Sequence, residues 1–287
     1  MKIVVTGASG QLGCDLCEAL KDYDLVPLNH KDIEITDIKS VNDQCNIHEP
    51  DVIINTAAYV RADDCEDNVD TAFLVHALGA RNLAVVAQQY NIKLIHISSD
   101  YVFGGDEGIR STPYTEFDTP APVNVYGKSK LAGEEFIQHL CNKYFIIRTS
   151  GLYGIAGSST KGSNFVDTII KLAGEKSELR VVDDQVTSPT YTKDLAYKIV
   201  QLMDTEYYGI FHITNSGKCS WFQFAQLILE LAGIKTPIVP IKSEEYAQKA
   251  RRPHFSAMDN YHLKLLGMDD LRSWQDALSS YLREKGY

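Results

Sequence analysis

The first thirteen residues, M-K-I-V-V-T-G-A-S-G-Q-L-G at positions 1–13, decide the fold of this chain. Residues 3–5 form an apolar, β-branched run, which is typical of a buried parallel strand. Gly7, Gly10 and Gly13 follow, and apolar residues then recur at helical spacing. A strand, a glycine turn and a helix in this order aim unpaired helix N–H groups at a pyrophosphate. The sequence therefore predicts a Rossmann-type α/β fold with a doubly wound parallel sheet.

Composition and charge narrow the class of protein further. The 287 residues are 44% hydrophobic and 23% charged, which is ordinary for a globular chain. A formal net charge of -10 argues against nucleic acid and anionic membrane as partners, since both call for a basic face. No apolar run approaches the ~20 residues of a membrane span. These features predict a cytoplasmic protein without nucleic acid or membrane partners.

Six cysteines are present, and two of them form a C-x-x-C pattern at Cys14 and Cys17. Both fall on the predicted first helix, and no second pair follows at zinc-ligand spacing. We interpret them as small hydrophobic residues near a packing face. The sequence predicts no metal site.

A second strand, predicted at residues 24–28, ends at Asn29, His30 and Lys31. Folds that prefer NAD place an acid here to bind the ribose 2′-hydroxyl. Asn29 is neutral, while His30 and Lys31 can meet a 2′-phosphate. The pattern favours NADPH and leaves NADH open, and the alternative is that both cations are surface charges.

The third predicted strand, at residues 51–55, is followed by Ala57, Ala58 and Tyr59. Small residues at a strand's carboxyl end leave room for a cofactor to cross the sheet edge. Four acids then cluster within residues 63–67. We interpret this cluster as solvated surface or as favourable charge at a helix N-terminus.

The fourth predicted strand, at residues 93–97, delivers Ser98 and Ser99 to the sheet edge where α/β proteins bind ligands. Tyr126 and Lys130 follow at the start of a predicted helix. Because they are four residues apart, their side chains share one helical face. This spacing indicates a phenol that moves a proton beside a fixed ammonium.

The acidity of Tyr126 decides whether it can serve that purpose. A free phenol has a pKa of ~10, and a nearby ammonium and a nicotinamide cation both favour its anion. Lowering the pKa by ~3 units takes ~4 kcal/mol. Tyr281 and Lys285 have the same spacing, but we expect them on a polar terminal helix, where Tyr281→Phe would have no effect.

The residues alone also predict two loops and the start of one helix. Residues 104–122 contain three prolines and are predicted to form a substrate-side loop, and the glycine-rich residues 151–162 are expected to edge the mouth of the site. Ser220 and Gln223 have capping-box spacing, which predicts that a helix begins there.

Seven further stretches occur in order along nearly the whole chain: G-Q-L-G at residues 10–13, S-S-D-Y-V-F at 98–103, N-V-Y-G-K-S-K-L-A-G-E at 124–134, I-I-R-T-S at 146–150, D-D-Q-V-T-S-P-T at 183–190, C-S-W-F-Q-F-A at 219–225 and A-R-R-P at 250–253. Together they resemble the dTDP-4-dehydrorhamnose reductases, which are extended short-chain dehydrogenases. The resemblance implies NAD(P)H-dependent reduction of the C4 ketone of a nucleotide-linked 4-keto-6-deoxysugar, with dTDP-4-dehydrorhamnose giving dTDP-L-rhamnose.

The resemblance also implies an organisation and a set of site residues. It implies a dinucleotide-binding domain at residues 1–150 and a smaller α/β substrate-binding region at 151–287, of which about 190–215 returns to the first sheet. It allows a homodimer. The implied catalytic residues are Ser99, Tyr126 and Lys130. The implied cofactor site adds Gly7, Gly10, Gln11, Leu12, Asn29, His30, Lys31, Asp37, Ile38, Ala57, Ala58, Tyr59 and Ser98. The implied substrate site comprises Val60, Ser99, Asp100, Tyr101, Gly151, Asn164, Gln185 and Arg252, with Arg251 or Arg252 as the ligand of the diphosphate.

The chain departs from the family pattern on the substrate side. Gly151 stands where the relatives have a tryptophan against the sugar, and Val60 lies in a stretch where they have a hydroxyl. Either the pocket is refilled by Tyr153 or Tyr101, or it is enlarged for a different 4-ketosugar. In the second case Gly151→Trp would improve activity on dTDP-4-dehydrorhamnose.

Three other functions compete with the reductase. A dehydratase of this superfamily needs an acid–base pair after the catalytic serine, and here Tyr101 follows Asp100. An epimerase would retain its NAD through the cycle. A regulatory subunit such as the partner of methionine adenosyltransferase would bind nucleotide without catalysis, but Ser99, Tyr126 and Lys130 are all present.

Overall fold

The computed structural model describes residues 1–105, 110–157 and 162–287. Its strands are β1 Lys2–Thr6, β2 Asp24–Leu28, β3 Val52–Asn55, β4 Lys93–Ser99, β5 Tyr144–Thr149, β6 Leu152–Tyr153, β7 Leu179–Val182, β8 Val186–Thr187, β9 Thr190–Tyr191, β10 Gly209–His212, β11 Cys219–Ser220 and β12 Ile238–Ile241. Its α-helices are α1 Gln11–Ala19, α2 Ile38–His48, α3 Ala62–Asp67, α4 Val69–Phe73, α5 Gly79–Gln89, α6 Val125–Leu140, α7 Phe165–Glu175, α8 Thr192–Met203, α9 Trp221–Leu231, α10 Tyr261–Leu265 and α11 Trp274–Lys285. A π-turn at Leu74–Leu78 joins α4 to α5, and Asp100–Val102 and Ser243–Glu245 are 3₁₀ turns.

Six strands form one parallel sheet in the order β10-β5-β4-β3-β1-β2. The strand order reverses between β1 and β3, and in open α/β sheets ligands bind in the crevice outside such a reversal. The parallel sheet predicted from the sequence is confirmed, and β10 from the later half of the chain extends it beside β5. The expectation of two domains divided near residue 150 stays a prediction.

Helices cover both faces of this sheet. On one face α1 and α8 pack together through residues such as Leu16 and Ile199. On the other face α2, α5 and α6 enclose a second core around Leu83 and Ile137. The apolar β-branched strands therefore lie buried between two helical layers, as their sequence predicts.

A third core lies beyond the carboxyl ends of the strands. It packs α7, α9 and α11 around Tyr153, Tyr191 and Phe224, all fully buried. The capping box predicted at Ser220 and Gln223 is confirmed and starts α9 at Trp221. This third core forms the far wall of the site.

Residues 104–122 do not behave as the sequence suggests. Tyr114 stacks on Phe103 with ring centroids 4.1 Å apart, and its backbone N–H donates to the Ala257 carbonyl at 2.8 Å. Tyr114 packs in a small core with Phe255 and Met258, and none of the described residues of this loop lines the cavity described below. The prediction of a substrate-side loop is wrong for them, and residues 106–109 lie outside the described part.

The expectation that no apolar run approaches the length of a membrane span is wrong for one stretch, Val69–Gln89, which is long and apolar enough to cross a membrane by length and composition alone. Half of that window is buried inside the protein. Its inward side chains, including Ala72, His76 and Leu83, are at most 1% exposed. We therefore assign it as a core helix of the Rossmann layer.

Candidate active site

A single cavity of about 1320 Å³ runs from the glycine turn after β1 to the wall made by α7 and α9. Typical sites for one small ligand are ~300–1,000 Å³. The cavity is therefore large enough for a dinucleotide and a second ligand placed end to end.

The glycine turn is built for close approach. Gly7 has φ +70°, a conformation that L side chains rarely adopt. A Cβ on Gly13 would overlap the Gly7 carbonyl oxygen, whereas a Cβ on Gly10 would meet only that oxygen, at 3.1 Å. The space above Gly10 is otherwise open, and α1 begins at Gln11 with no acid in its first turn. Gln11 Oε1 is buried without a hydrogen-bond partner among the described residues, so the turn fits a pyrophosphate and its ribose.

The residues after β2, which the sequence predicted to bind the adenosine ribose of the cofactor, only partly line the cavity. Asn29 Oδ1 accepts from the Ser9 N–H at 2.9 Å, so this amide braces the glycine turn. His30 lines the cavity with its Nδ1 3.6 Å from the Glu34 carboxylate. Lys31 is exposed and is not part of the cavity wall.

Asp37 and Ile38 also lie outside the cavity wall. Asp37 caps α2 by accepting from the Lys39 N–H at 2.9 Å, and Ile38 points to solvent. The two residues before them, Ile35 and Thr36, line the cavity instead. Because α2 begins here, the Asp37 side chain is used as its N-cap and does not line the cavity.

The end of β3 supplies the facing wall. Thr6 donates to Asn55 Oδ1 at 2.6 Å, and the same oxygen accepts from the Ala57 N–H at 3.1 Å. This arrangement fixes the turn that carries the predicted ligand-binding residues. Ala57, Ala58, Tyr59 and Val60 all line the cavity.

Ser99, Tyr126 and Lys130 converge at the middle of the cavity. Ser99 ends β4, and Tyr126 lies in the first turn of α6. Lys130, one turn further on, donates to the Ile97 carbonyl at 2.8 Å. A Cβ on Gly127 would overlap the Tyr101 carbonyl oxygen, so α6 is pressed directly against the turn after β4.

Burial shifts the pKa values of Tyr126 and Lys130 in opposite directions. Burial raises the pKa of Tyr126, the Asp100 carboxylate raises it further, and the hydrogen bond with Ser99 opposes them. Burial lowers the pKa of Lys130 to about 8, and the Glu134 carboxylate one turn away counteracts this. The predicted lowering of the tyrosine pKa depends on the ammonium and a nicotinamide cation acting together, and it stays a prediction. Among the protein's own groups, desolvation of the phenol and then the Asp100 carboxylate raise the pKa.

Asp100 is the polar centre of the substrate side. Its buried carboxylate accepts from three hydroxyls, those of Ser256 at 2.6 Å, Ser150 at 2.9 Å and Ser99 at 3.0 Å. Burial raises the pKa of Asp100, and these hydrogen bonds oppose the rise. The sequence indicated Asp100 as a substrate ligand, but the chain itself uses its oxygens to hold the hydroxyls.

Ser98 points into a second network behind the site. It donates to Glu134 at 2.5 Å, and the buried Arg148 guanidinium holds the same carboxylate at 2.6 Å. This ion pair joins α6 to β5. It keeps α6 in register with the sheet edge.

The wall beside Gly151 contains a residue that the sequence reading missed. A Cβ on Gly151 would lie 3.7 Å from Trp221 Cη2, and the Trp221 ring packs on Phe165 with centroids 4.6 Å apart. Both aromatic rings line the cavity. The capping box at Ser220 could have located Trp221, because it fixes the first residue of α9.

The structure shows which of the two candidate tyrosines, Tyr153 or Tyr101, lines the cavity where the relatives have a tryptophan. Tyr153 is fully buried in the third core and does not line the cavity, so that half of the expectation is wrong. Tyr101 does line it. Gly151 has φ +55°, and a Cβ would be 3.1 Å from Pro189 Cα, which argues against any gain from Gly151→Trp.

Asn164 and Gln185 line the cavity but carry structural hydrogen bonds. Asn164 caps α7 by accepting from the Asp167 N–H at 3.0 Å, and its amide donates to Tyr281 at 3.0 Å. Gln185 donates to Ser243 at 2.9 Å. Tyr281 is fully buried and donates to Asp167, so the expectation of a polar terminal helix around it is wrong.

Arg252 lines the cavity, whereas Arg251 is exposed and does not. Arg252 donates to Asp63 at 2.9 Å, and the same carboxyl group accepts from the Ala250 N–H at 2.9 Å. Asp67 pairs with Lys249. Asp63 and Asp67 are therefore partners of the segment that carries Arg252, which corrects the solvated-surface interpretation for these two acids. Asp63 and Asp64 lie in the first turn of α3, as the alternative of favourable charge at a helix N-terminus predicts.

A Rossmann sheet with a glycine turn, and with Ser99, Tyr126 and Lys130 at one sheet edge, defines an NAD(P)-dependent oxidoreductase of the extended short-chain dehydrogenase class. The family model "RmlD substrate binding domain" matches residues 1–286, and the chain belongs to this family, the dTDP-4-dehydrorhamnose reductases. The resemblance drawn from the sequence is confirmed.

The relatives agree along the whole chain. The spore coat polysaccharide biosynthesis protein SpsK of Bacillus subtilis is 42% identical over 99% of this chain and 98% of its own. A dTDP-4-dehydrorhamnose reductase of Mycolicibacterium smegmatis is 37% identical over 96% of this chain and 84% of its own. A Clostridium acetobutylicum dTDP-4-dehydrorhamnose reductase has a TM-score of 0.95 at 41% identity and covers 100% of both chains. A Bacillus anthracis dTDP-4-dehydrorhamnose reductase in complex with NADP has a TM-score of 0.93 at 44% identity, covering 99% of this chain and 100% of that one.

Proposed function

We propose that this protein reduces the C4 ketone of dTDP-4-dehydrorhamnose with NADPH and forms dTDP-L-rhamnose. The observation that carries the proposal is the convergence of Ser99, Tyr126 and Lys130 midway along one cavity large enough for both ligands. The names of the relatives support the substrate.

The cofactor occupies the half of the cavity next to β1. The N–H groups at the start of α1 would hold its pyrophosphate, and Ala57 and Ala58 would leave room for the dinucleotide to cross the sheet edge. Lys130 binds the ribose next to the nicotinamide. When bound, NADPH supplies the hydride for the C4 ketone. The NADP complex of the Bacillus anthracis relative supports this choice, and NADH remains an alternative donor.

Tyr126 donates the proton that completes the reduction. A pKa raised by burial keeps its phenol protonated, which suits a proton donor to a developing alkoxide. Ser99 donates its hydroxyl proton to the ketone oxygen, and for this the hydroxyl turns away from the Asp100 carboxylate, to which it donates in the structure. The Lys130 ammonium stabilises the phenolate left after transfer.

The sugar lies on the side of the cavity away from the glycine turn. Trp221 and Phe165 provide an apolar face for the 6-deoxy carbon, and Tyr101 closes the opposite side. Arg252, held by Asp63, meets the diphosphate, with Val60 and Gln185 at the edges. The pairing with Asp63 keeps the guanidinium in place and leaves part of its donor fork for phosphate.

NADPH consumption with a panel of nucleotide 4-ketosugars tests the function. We expect the highest kcat/KM with dTDP-4-dehydrorhamnose. A clear preference for another 4-ketosugar would show that this chain is a reductase of that sugar nucleotide instead. Absence of NADPH oxidation with every sugar would refute a reductase and favour the regulatory alternative, whereas tightly retained NAD would favour an epimerase.

We also place the enzyme in the cytoplasm without nucleic acid or membrane partners. The net charge of -10 supports this placement, since both partners require a basic face.

A further inference from the structure

The π-turn Leu74–Leu78 lies directly beneath the candidate proton donor. It contains His76, which is 1% exposed. A Cβ on Gly133 of α6 would overlap the His76 carbonyl oxygen, so the turn and α6 touch without an intervening side chain. Single π-turns within helices occur frequently at functional sites. The π-turn Leu74–Leu78 lies between α4 and α5 and packs against α6, the helix that carries Tyr126.

The imidazole of His76 joins two walls of the cavity through hydrogen bonds of fixed direction. The Tyr59 N–H donates to His76 Nε2 at 3.0 Å. Because Nε2 accepts, the ring proton lies on Nδ1, which donates to Ser129 Oγ at 2.8 Å. Ser129 Oγ then donates to the Tyr126 carbonyl at 2.9 Å. A continuous chain thus runs from the cofactor-side turn to the backbone of Tyr126.

His76 also contacts the ring of Tyr126 itself. The two rings meet edge to face, with centroids 5.2 Å apart and an interplanar angle of 87°. Tyr101 packs on the same ring in the same way, at 5.7 Å and 89°. Burial and the nearby Lys130 ammonium lower the pKa of His76 well below its usual value, so the imidazole stays neutral and the chain keeps its direction.

Building on the proposed function, we propose that His76 is a positioning residue that aligns Tyr126 with the cofactor-side turn through Ser129. The imidazole does not touch the reacting atoms. It fixes one face of the Tyr126 ring and ties the backbone of Tyr126 to the backbone of Tyr59. A displacement of about 1 Å at a proton donor costs up to ~100-fold in rate, so this alignment matters for turnover.

The test compares His76→Phe, Ser129→Ala and the double variant. His76→Phe keeps a flat ring against Tyr126 and removes both hydrogen bonds. We expect kcat to fall about 10- to 100-fold, with KM for dTDP-4-dehydrorhamnose unchanged within about twofold. The double variant should be no slower than His76→Phe, because residues acting through one chain are not additive. Wild-type kcat in folded His76→Phe, or full additivity in the double variant, would overturn the proposal.

His212→Phe is the matched control. His212 is another fully buried histidine bonded to backbone oxygens, on β10 and away from the cavity. We expect it to lower the melting temperature and leave kcat unchanged. An equal fall of kcat in both variants would make the His76 effect merely structural and overturn the proposal.

Failure of the proposed function can be distinguished from failure of this inference. The wild type is assayed first, and the variants are compared on whichever nucleotide 4-ketosugar it reduces. Amide hydrogen exchange needs no substrate. We expect faster exchange at residues 57–60 and 125–130 together in His76→Phe, and exchange unchanged at either segment would contradict the connecting chain whatever the wild-type activity.

Discussion

The two halves of the cavity are made in different ways. The half next to β1, where we propose that the cofactor binds (the cofactor half), is lined mostly by glycines and small residues within short stretches such as 7–13 and 56–59. The other half, where we propose that the sugar nucleotide binds (the substrate half), is lined by side chains that are far apart in sequence, including Tyr101, Trp221 and Arg252. Backbone geometry is set by local sequence, whereas a wall of scattered side chains exists only after folding. The cofactor half therefore changes little when side chains change, and the substrate half is where specificity can vary.

The largest effect is expected where the two halves meet. Tyr126→Phe keeps the ring between His76 and Tyr101 and removes the proton donor. Turnover should fall by roughly 10²–10⁴-fold, with the Kd for NADPH little changed. Steady-state kinetics and a cofactor titration measure the two quantities.

Tyr207→Phe is the appropriate control for that variant, because Tyr207 is 54% exposed. Tyr281→Phe is unsuitable, since it removes hydrogen bonds to Asn164 and Asp167 inside the third core. Equal turnover of Tyr126→Phe and wild type would disprove the role of Tyr126.

A selective loss on the substrate side is the second prediction. Trp221→Leu removes the aromatic face beside Gly151 and should raise KM for the ketosugar about 10- to 100-fold, which is ~1–3 kcal/mol. The Kd for NADPH should stay the same. A matching loss of NADPH affinity would show that the two halves are not independent.

A backbone effect is expected on the cofactor side. Gly13→Ala places a Cβ onto the Gly7 carbonyl and should cost ~1–3 kcal/mol of stability together with NADPH affinity. Gly10→Ala meets the same oxygen at 3.1 Å and should cost less. Thermal unfolding and cofactor titration of both variants give the ranking, and the reverse order would contradict the close approach of α1 to the turn.

A pH effect should reveal Lys130. Burial disfavours its charged form, so the free enzyme holds the ammonium below pH ~8 and loses it above. We expect kcat/KM for NADPH to fall about tenfold per pH unit above pH 8. Lys130→Arg, which stays charged, should shift this fall in kcat/KM to higher pH. If the fall stays at the same pH in Lys130→Arg, another group causes it.

The smallest effect concerns the adenosine end. His30 lines the cavity but is 3.6 Å from Glu34, which offsets its charge, whereas Lys31 lies outside the wall. We expect His30→Ala to weaken NADPH relative to NADH by a few-fold and Lys31→Ala to have no effect. A larger change for Lys31→Ala than for His30→Ala would show that Lys31 binds the cofactor.

Much of the cofactor half could be predicted from the sequence. The β-branched run at residues 3–5, the glycines after it and the helical spacing beyond are local signals, and strand, turn and helix formed as predicted. The strand end predicted a site at Ser98 and Ser99, the helix spacing paired Tyr126 with Lys130, and the family resemblance then implied Ser99 as the catalytic serine. Lys31, Asp37 and Ile38 lie outside the cavity, because the chain starts α2 and turns away after Ile35 and Thr36.

Only the tertiary structure decided the rest. The packing of α9 against α7 brought Trp221 beside Gly151, and burial of Tyr153 and Tyr281 in the third core removed both from the surface. Asp63 and Asp67 pair with Arg252 and Lys249, far along the chain. The pKa of Tyr126 rose because folding buried the phenol beside Asp100. Local sequence sets backbone conformation over a few residues, while desolvation and side-chain neighbours depend on contacts between distant segments, which the sequence pattern alone does not encode.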